Sequence, residues 1–79
     1  MIVEGSVTGV RDTTVEYNGK EYPKRYIVIE GFSLEQPVSA TPPVEGDYIR
    51  AMVRTEWRDT KSGKRRPRFV LQSFRSIQF

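Results

Sequence analysis

Apolar and polar residues alternate with a period of two along most of this chain. From Ile2 to Val10, Val3 and Val7 fall on one face while Glu4, Ser6 and Thr8 fall on the other. That is the pattern of a half-buried strand, with Gly5 and Gly9 placed where a bulge or tight bend is expected. Thr13 to Tyr17 is a short β-prone stretch, and Asn18-Gly19 follows it. Both residues of that pair tolerate positive φ, so it predicts a two-residue hairpin turn. The return strand is expected from about Tyr22 to Phe32. Its centre, Tyr26-Ile27-Val28-Ile29, is apolar on both faces, as in a central strand.

Gln36 to Thr41 predicts a weaker strand, ended by Thr41-Pro42-Pro43 because neither proline donates a ladder hydrogen bond. Glu45-Gly46-Asp47 supplies a turn. Tyr48 to Asp59 alternates strictly: Ile49, Ala51, Val53 and Trp57 share one face, and Arg50, Arg54, Glu56 and Arg58 the other. This parity favours the core for Trp57. A turn at Lys61-Ser62-Gly63-Lys64 leads to a last strand, from about Pro67 to Phe79. There Phe69, Leu71, Ile77 and Phe79 have one parity, and Val70 and Phe74 the other, which a bulge near Ser73 would reconcile. Phe69 is expected in the core, and Tyr48 in a structural role. No segment carries an apolar stripe of helical period. The expected fold is all-β: a small five-stranded Greek-key OB-like barrel with projecting hairpins, formed as one domain over residues 1–79.

Length changes what must hold such a barrel together. A chain of 79 residues buries only about 60% of its unfolded surface and usually needs a staple. With no cysteine and no histidine, disulfides are excluded and the commonest zinc ligands are missing. A homodimer is the staple expected. The same composition removes Ser-His and Cys-His nucleophile pairs, and the carboxylates are scattered singly, so no enzyme activity, metal or cofactor is expected. No apolar run approaches the roughly 20 residues that span a bilayer, and no signal-peptide pattern is present. No membrane partner and a cytoplasmic location are therefore expected, the host cytoplasm if the chain is phage-encoded.

Charge is segregated. Residues 1–47 carry a net −4 and residues 48–79 a net +7, within a total of +3. The basic residues of the second part are Arg50, Arg54, Arg58, Lys61, Lys64, Arg65, Arg66, Arg68 and Arg75. A basic hairpin tip, with Arg50, Arg54 and Arg58 continuing its track along the preceding strand, suits a polyanion whose phosphates shed counterions on binding. Aromatic residues interleave with these charges. Tyr22, flanked by Lys20, Lys24 and Arg25, is the leading candidate for base stacking, which tolerates any sequence. Tyr26 and Phe74 are candidates to assist. The wing Tyr17–Tyr22 is compatible with an ordinary turn or with one side of a groove. Gly63-Lys64 lacks the rest of a phosphate-binding loop and carries no weight.

Asn18-Gly19-Lys20-Glu21-Tyr22 and Pro43-Val44-Glu45-Gly46-Asp47-Tyr48 resemble, respectively, the wing and the Pro-x-Gly-x-Tyr segment of the helix-destabilising single-stranded DNA-binding proteins of filamentous bacteriophages, the gene V proteins. Length and strand order agree over nearly the whole chain. The resemblance implies an OB-like, two-fold dimer that coats single-stranded DNA cooperatively. It further implies that Tyr22 is the stacking wing tyrosine and that Arg11 and Lys20 bind phosphate around the wing. The hairpin Tyr48–Phe79 would build the dimer and lend an aromatic ring to the groove. Two departures, the more basic hairpin tip and Lys24 in place of an apolar residue, shift weight from stacking toward phosphate contact. The expected partner is single-stranded DNA. An RNA-binding OB-like domain shares this physics, and a protein-interaction module with a basic hairpin is the reading from another class.

Overall fold

The computed structural model describes residues 1–78 and contains five β-strands and, among those residues, no helix. They are β1 (Ile2–Tyr17), β2 (Lys20–Ile29), β3 (Phe32–Gln36), β4 (Tyr48–Asp59) and β5 (Arg65–Ser76). Phe79, expected at the end of the last strand, lies outside the described residues. No helix is long and apolar enough to cross a membrane.

The strands close into a barrel in the order β1-β2-β3-β5-β4. This is the expected OB-like Greek-key architecture. Every neighbouring pair is antiparallel except β3 and β5, which run parallel and meet through one bridge, Glu35 with Val70. β1 serves two partners. Its first residues, Ile2–Ser6, pair with Met52–Tyr48 of β4, and from Val7 onward it pairs with β2. The two stretches expected on either side of Arg11-Asp12 are one continuous strand, because Arg11 and Asp12 stay in register opposite Tyr26 and Arg25.

Two bulges shape the ring. The β1–β2 register shifts between Val7 and Gly9, so Thr8 steps out of the ladder while its hydroxyl donates to the Val28 carbonyl at 3.3 Å. In β5 the extra residue is Gln72, since Met52 faces Ser73 while Val53 faces Leu71. This is the bulge expected near Ser73. It switches the parity of β5, so that Phe69, Leu71 and Phe74 all reach the interior. The core is Val7, Ile27, Ile29, Leu34, Ile49, Ala51, Val53 and Leu71, with Val3, Val10, Phe32, Phe69 and Phe74 packed around it. Phe69 meets Phe32 with ring centroids 5.3 Å apart, as expected for a core residue.

Both hairpin turns of the β1–β2–β3 meander use positive φ. Asn18 and Gly19, at 51° and 75°, make the expected turn. Glu30 and Gly31, at 46° and 88°, make a second turn inside what the apolar pattern presents as one strand to Phe32. Glutamate is an uncommon residue there. The conformation is secured by a clip: the Glu30 amide donates to Ser6 O at 3.2 Å, and the Ser6 amide donates to Glu30 Oε2 at 3.1 Å. Gly5 makes room for the clip, because a Cβ at that position would collide with the Glu30 carboxylate and come within 2.8 Å of the Ile29 methyl.

The expected strand at Gln36–Thr41 is instead the end of β3 followed by a loop over residues 37–47. Pro37, Pro42 and Pro43 lack amide donors, and the loop is secured by side chains. Arg25 donates to Ala40 O at 2.6 Å and Gln36 Nε2 to Thr41 O at 3.0 Å. At its far end the loop rejoins β1, with Val7 N donating to Asp47 O at 2.8 Å and Gly46 N to Val7 O at 2.9 Å.

Candidate nucleic-acid interface

Two arms outrun the barrel. Among the described residues, past Val10 the only strand paired with β1 is β2, and past Val53 the only strand paired with β4 is β5. The molecule is accordingly elongated, 45 × 23 × 19 Å. Successive side chains of a strand alternate between faces, so the register assigns each arm an outer and an inner face. On the β1–β2 wing the outer pairs are Arg11 with Tyr26, Thr13 with Lys24, Val15 with Tyr22 and Tyr17 with Lys20. On the β4–β5 hairpin they are Arg54 with Val70, Glu56 with Arg68 and Arg58 with Arg66.

The two arms converge. An open groove of about 760 Å³ is lined by Glu16, Tyr17, Tyr22 and Lys24 from the wing and by Arg58, Asp59 and Arg68 from the hairpin, so two carboxylates share it with the cations. Tyr17 and Tyr22 are 59% and 46% exposed, large rings left open to solvent. A second hollow of about 490 Å³ continues along β2, where Arg11, Tyr26 and Val28 line it. Lys24 Nζ stands 5.9 Å from the centre of the Tyr26 ring, within cation–π reach. Lys20 lies beside Tyr17 at the wing tip, and Lys61 and Lys64 are exposed in the hairpin loop. The basic hairpin and the wing tyrosine therefore share one surface.

An ion-pair chain joins Lys24 and Arg68, which both line this groove, and continues to Arg54. Glu35 Oε1 is 2.7 Å from Lys24 Nζ, and Glu35 Oε2 contacts Arg68 Nε. Arg68 Nη1 is also 3.8 Å from Glu56 Oε2, and Arg54 Nη2 is 2.7 Å from Glu56 Oε1. The contacts at Glu35 are charge contacts without hydrogen-bond alignment. By contrast, among the described residues no carboxylate lies within ion-pair distance of Arg11, Lys20, Arg58, Lys61, Lys64 or Arg66. Arg58 and Arg66 stand directly opposite each other, an arrangement of like charges that costs a sheet about 0.2–1 kcal/mol.

Other expected residues are placed elsewhere. Arg25 is not an open cation: it is 8% exposed, and its guanidinium points into the protein. Its Nε donates to Asp12 Oδ1 at 2.7 Å, and its Nη1 donates to Gln36 Oε1 at 3.2 Å and to Ala40 O at 2.6 Å. The parity that places Ile27 and Ile29 inward places Arg25 inward too. Arg50, ion-paired with Glu4, and half-buried Phe74 line a separate hollow of about 340 Å³ with Ile2 and Met52. Arg65 lies on the inner face of the hairpin, 3.6 Å from Asp59. Trp57 is not in the core: its parity is inward, but β4 has already left the barrel, and the indole is 59% exposed opposite Pro67.

Two residues of the site are not among those expected to bind, although Tyr17 begins the wing read from the sequence. Tyr17 is placed beside Tyr22 by the Asn18-Gly19 turn, whose register was legible. Glu35 carries no sequence signal, since its position depends on the parallel junction of β3 with β5. Comparison with protein-family models, with curated proteins and with solved structures finds no match, so the reading of this surface rests on its own geometry.

Proposed function

We propose that this chain is a sequence-nonspecific single-stranded DNA-binding protein that serves replication of a phage or other mobile element. The observation that carries the reading is the shared groove. Open tyrosine rings on the wing face a hairpin whose Arg58 and Arg66 oppose each other without a neutralising carboxylate. A like-charged pair facing solvent is unfavourable alone and becomes favourable against a polyanion. Flat rings beside it suit bases, which stack at about 1–3 kcal/mol each without regard to sequence. A flexible strand would lay phosphates along Arg58, Arg66, Lys61 and Lys64 and turn bases toward Tyr17 and Tyr22. Tyr26 and Arg11 would extend the track along β2, beyond Lys24, which Glu35 holds in an ion pair. Tyr22 and Tyr26 are four residues apart on one strand, about 13 Å, so they would hold bases that are not neighbours in a continuous stack.

The reading includes a homodimer built through the β4–β5 hairpin, as the resemblance to the gene V proteins implies. Exposed Trp57 and Pro67, on the face turned away from the arginine pair, are the side chains such a contact would cover.

Titration of poly(dT), poly(rU), duplex DNA and an acidic polypeptide against intrinsic tyrosine and tryptophan fluorescence tests the proposal. Quenching by poly(dT) that weakens steeply with salt is expected. Equal responses to the acidic polypeptide and to poly(dT), without ring quenching, would overturn it in favour of a protein-interaction module. Stronger quenching by poly(rU) would make RNA the substrate.

A further inference from the structure

We infer that Glu35 is a built-in competitor of phosphate, holding two cations of the groove in reserve and so setting the affinity and salt range of binding. This rests on the proposed function and concerns the control of that same site.

Glu35 is the residue through which β3 meets β5, and its backbone also pairs with Tyr26 of β2. Its side chain is 14% exposed, between a wing cation and a hairpin cation that both line the groove. One carboxylate oxygen takes Lys24 and the other takes Arg68. A bridging phosphate would use two oxygens on two cations in the same way. The side chains of Lys24 and Arg68 are 22% and 25% exposed, so both remain within reach of an incoming anion. Arg68 is shared with Glu56, which also holds Arg54, so in the free protein the chain of three cations and two carboxylates presents a single net charge, and Lys24 is the cation that Glu35 holds alone. A phosphate arriving there must share the cations with Glu35 or displace it. Arg58 and Arg66 carry no such restraint. The groove thus has two grades of cation: open ones on the hairpin that capture the strand, and held ones that add little until the carboxylate is removed.

Salt separates this from a purely structural role. Each phosphate contact to a single strand contributes about 0.7 to the slope of log affinity against log salt. Glu35→Gln keeps the shape and removes the charge. Poly(dT) affinity of the variant is expected to match wild type near 1 M salt and to exceed it about tenfold per released cation at 0.05 M, with a slope steeper by about 0.7–1.4. Glu21→Gln makes the same change in net charge on the inner face of the wing, and its slope is expected to stay at the wild-type value. If Glu35→Gln binds equally or more weakly while its melting profile is retained, Glu35 serves only to position its neighbours and the inference is overturned.

A double cycle covers the case in which Glu35→Gln folds poorly. Lys24→Met in the wild-type background is expected to leave the slope unchanged, whereas Arg58→Gln lowers it by about 0.7. In the Glu35→Gln background, Lys24→Met is expected to lower the slope by the same amount. A Lys24→Met variant as flattened as Arg58→Gln in the wild-type background would also overturn the inference. Loss of poly(dT) binding by the wild type itself is a different result, which removes the proposed function. Wild-type binding with an unaltered Glu35→Gln removes only the competitor.

Discussion

Arg25 and Tyr22 sit three residues apart on one strand and have opposite fates. Arg25 points inward to a polar pocket made by Asp12, Gln36 and the carbonyls of the 37–47 loop. Removing the guanidinium leaves Gln36 Oε1 and the loop carbonyls without their donor, a loss of about 1–3 kcal/mol, while the exposed Asp12 carboxylate turns to water. Arg25→Ala is therefore expected to lower the denaturant midpoint sharply, and Arg25→Gln to recover little of it. Tyr22, outward and open, should behave in the reverse way. Tyr22→Ala is expected to leave the melting profile nearly unchanged and to weaken poly(dT) binding by about 1–3 kcal/mol with little change in salt slope. A stability loss at Tyr22 as large as that at Arg25 would remove it from the groove. The flanking charges suggested that Arg25 belonged with its neighbours. Parity with Ile27 and Ile29 contained the contrary information, but nothing local announced that a proline-rich loop would need an internal donor. For Trp57 parity was right and depth was wrong, because the strand continues after its barrel partner has ended.

At the scale of elements, the β4–β5 hairpin is the basic arm. Its outer face opposes Arg58 with Arg66 and offsets Arg68 and Arg54 with Glu56. Replacing both Arg58 and Arg66 by Gln relieves a like-charge pair. The double variant is expected to melt no lower than wild type, with a gain of up to about 1 kcal/mol. Its salt slope for poly(dT) should fall by about 1.4, or 0.7 for each lost contact. A marked drop in stability together with an unchanged slope would show the pair to be structural. Elements were the most legible scale in the chain. The Asn18-Gly19 hairpin, the long β4 strand and the β5 bulge all follow from turn chemistry and parity. The Glu30-Gly31 turn did not, because its stabilising partner, Ser6, comes from the far end of the chain. The loop at Gln36–Thr41 resembled a strand only because Val38 and Ala40 alternate, and Val38 is in fact exposed.

For the whole molecule, closure of the ring is the part of the fold that no local pattern encodes. Which strand follows β3 around the barrel depends on a parallel contact between segments far apart in sequence, and Glu35 becomes part of the site only through it. Size also acts at this scale. A small, elongated domain without cysteine for a disulfide has little margin, and the proposed dimer would supply it. The melting temperature is then expected to rise with protein concentration, with Trp57 emission shifting to the blue as the indole is covered. A concentration-independent transition would indicate a monomer.

The junction of β3 with β5 has one more consequence. A cylinder whose wall is joined on that side by a single rung, Glu35 to Val70, has an obvious line along which to unzip. Sub-global opening should start there, so amide hydrogens of residues 34–36 and 69–71 are expected to exchange before those of the barrel part of the β1–β2 ladder, Val7–Val10 with Ile27–Ile29. A ligand that bridges Lys24 and Arg68 would slow that exchange by fastening the wall from outside.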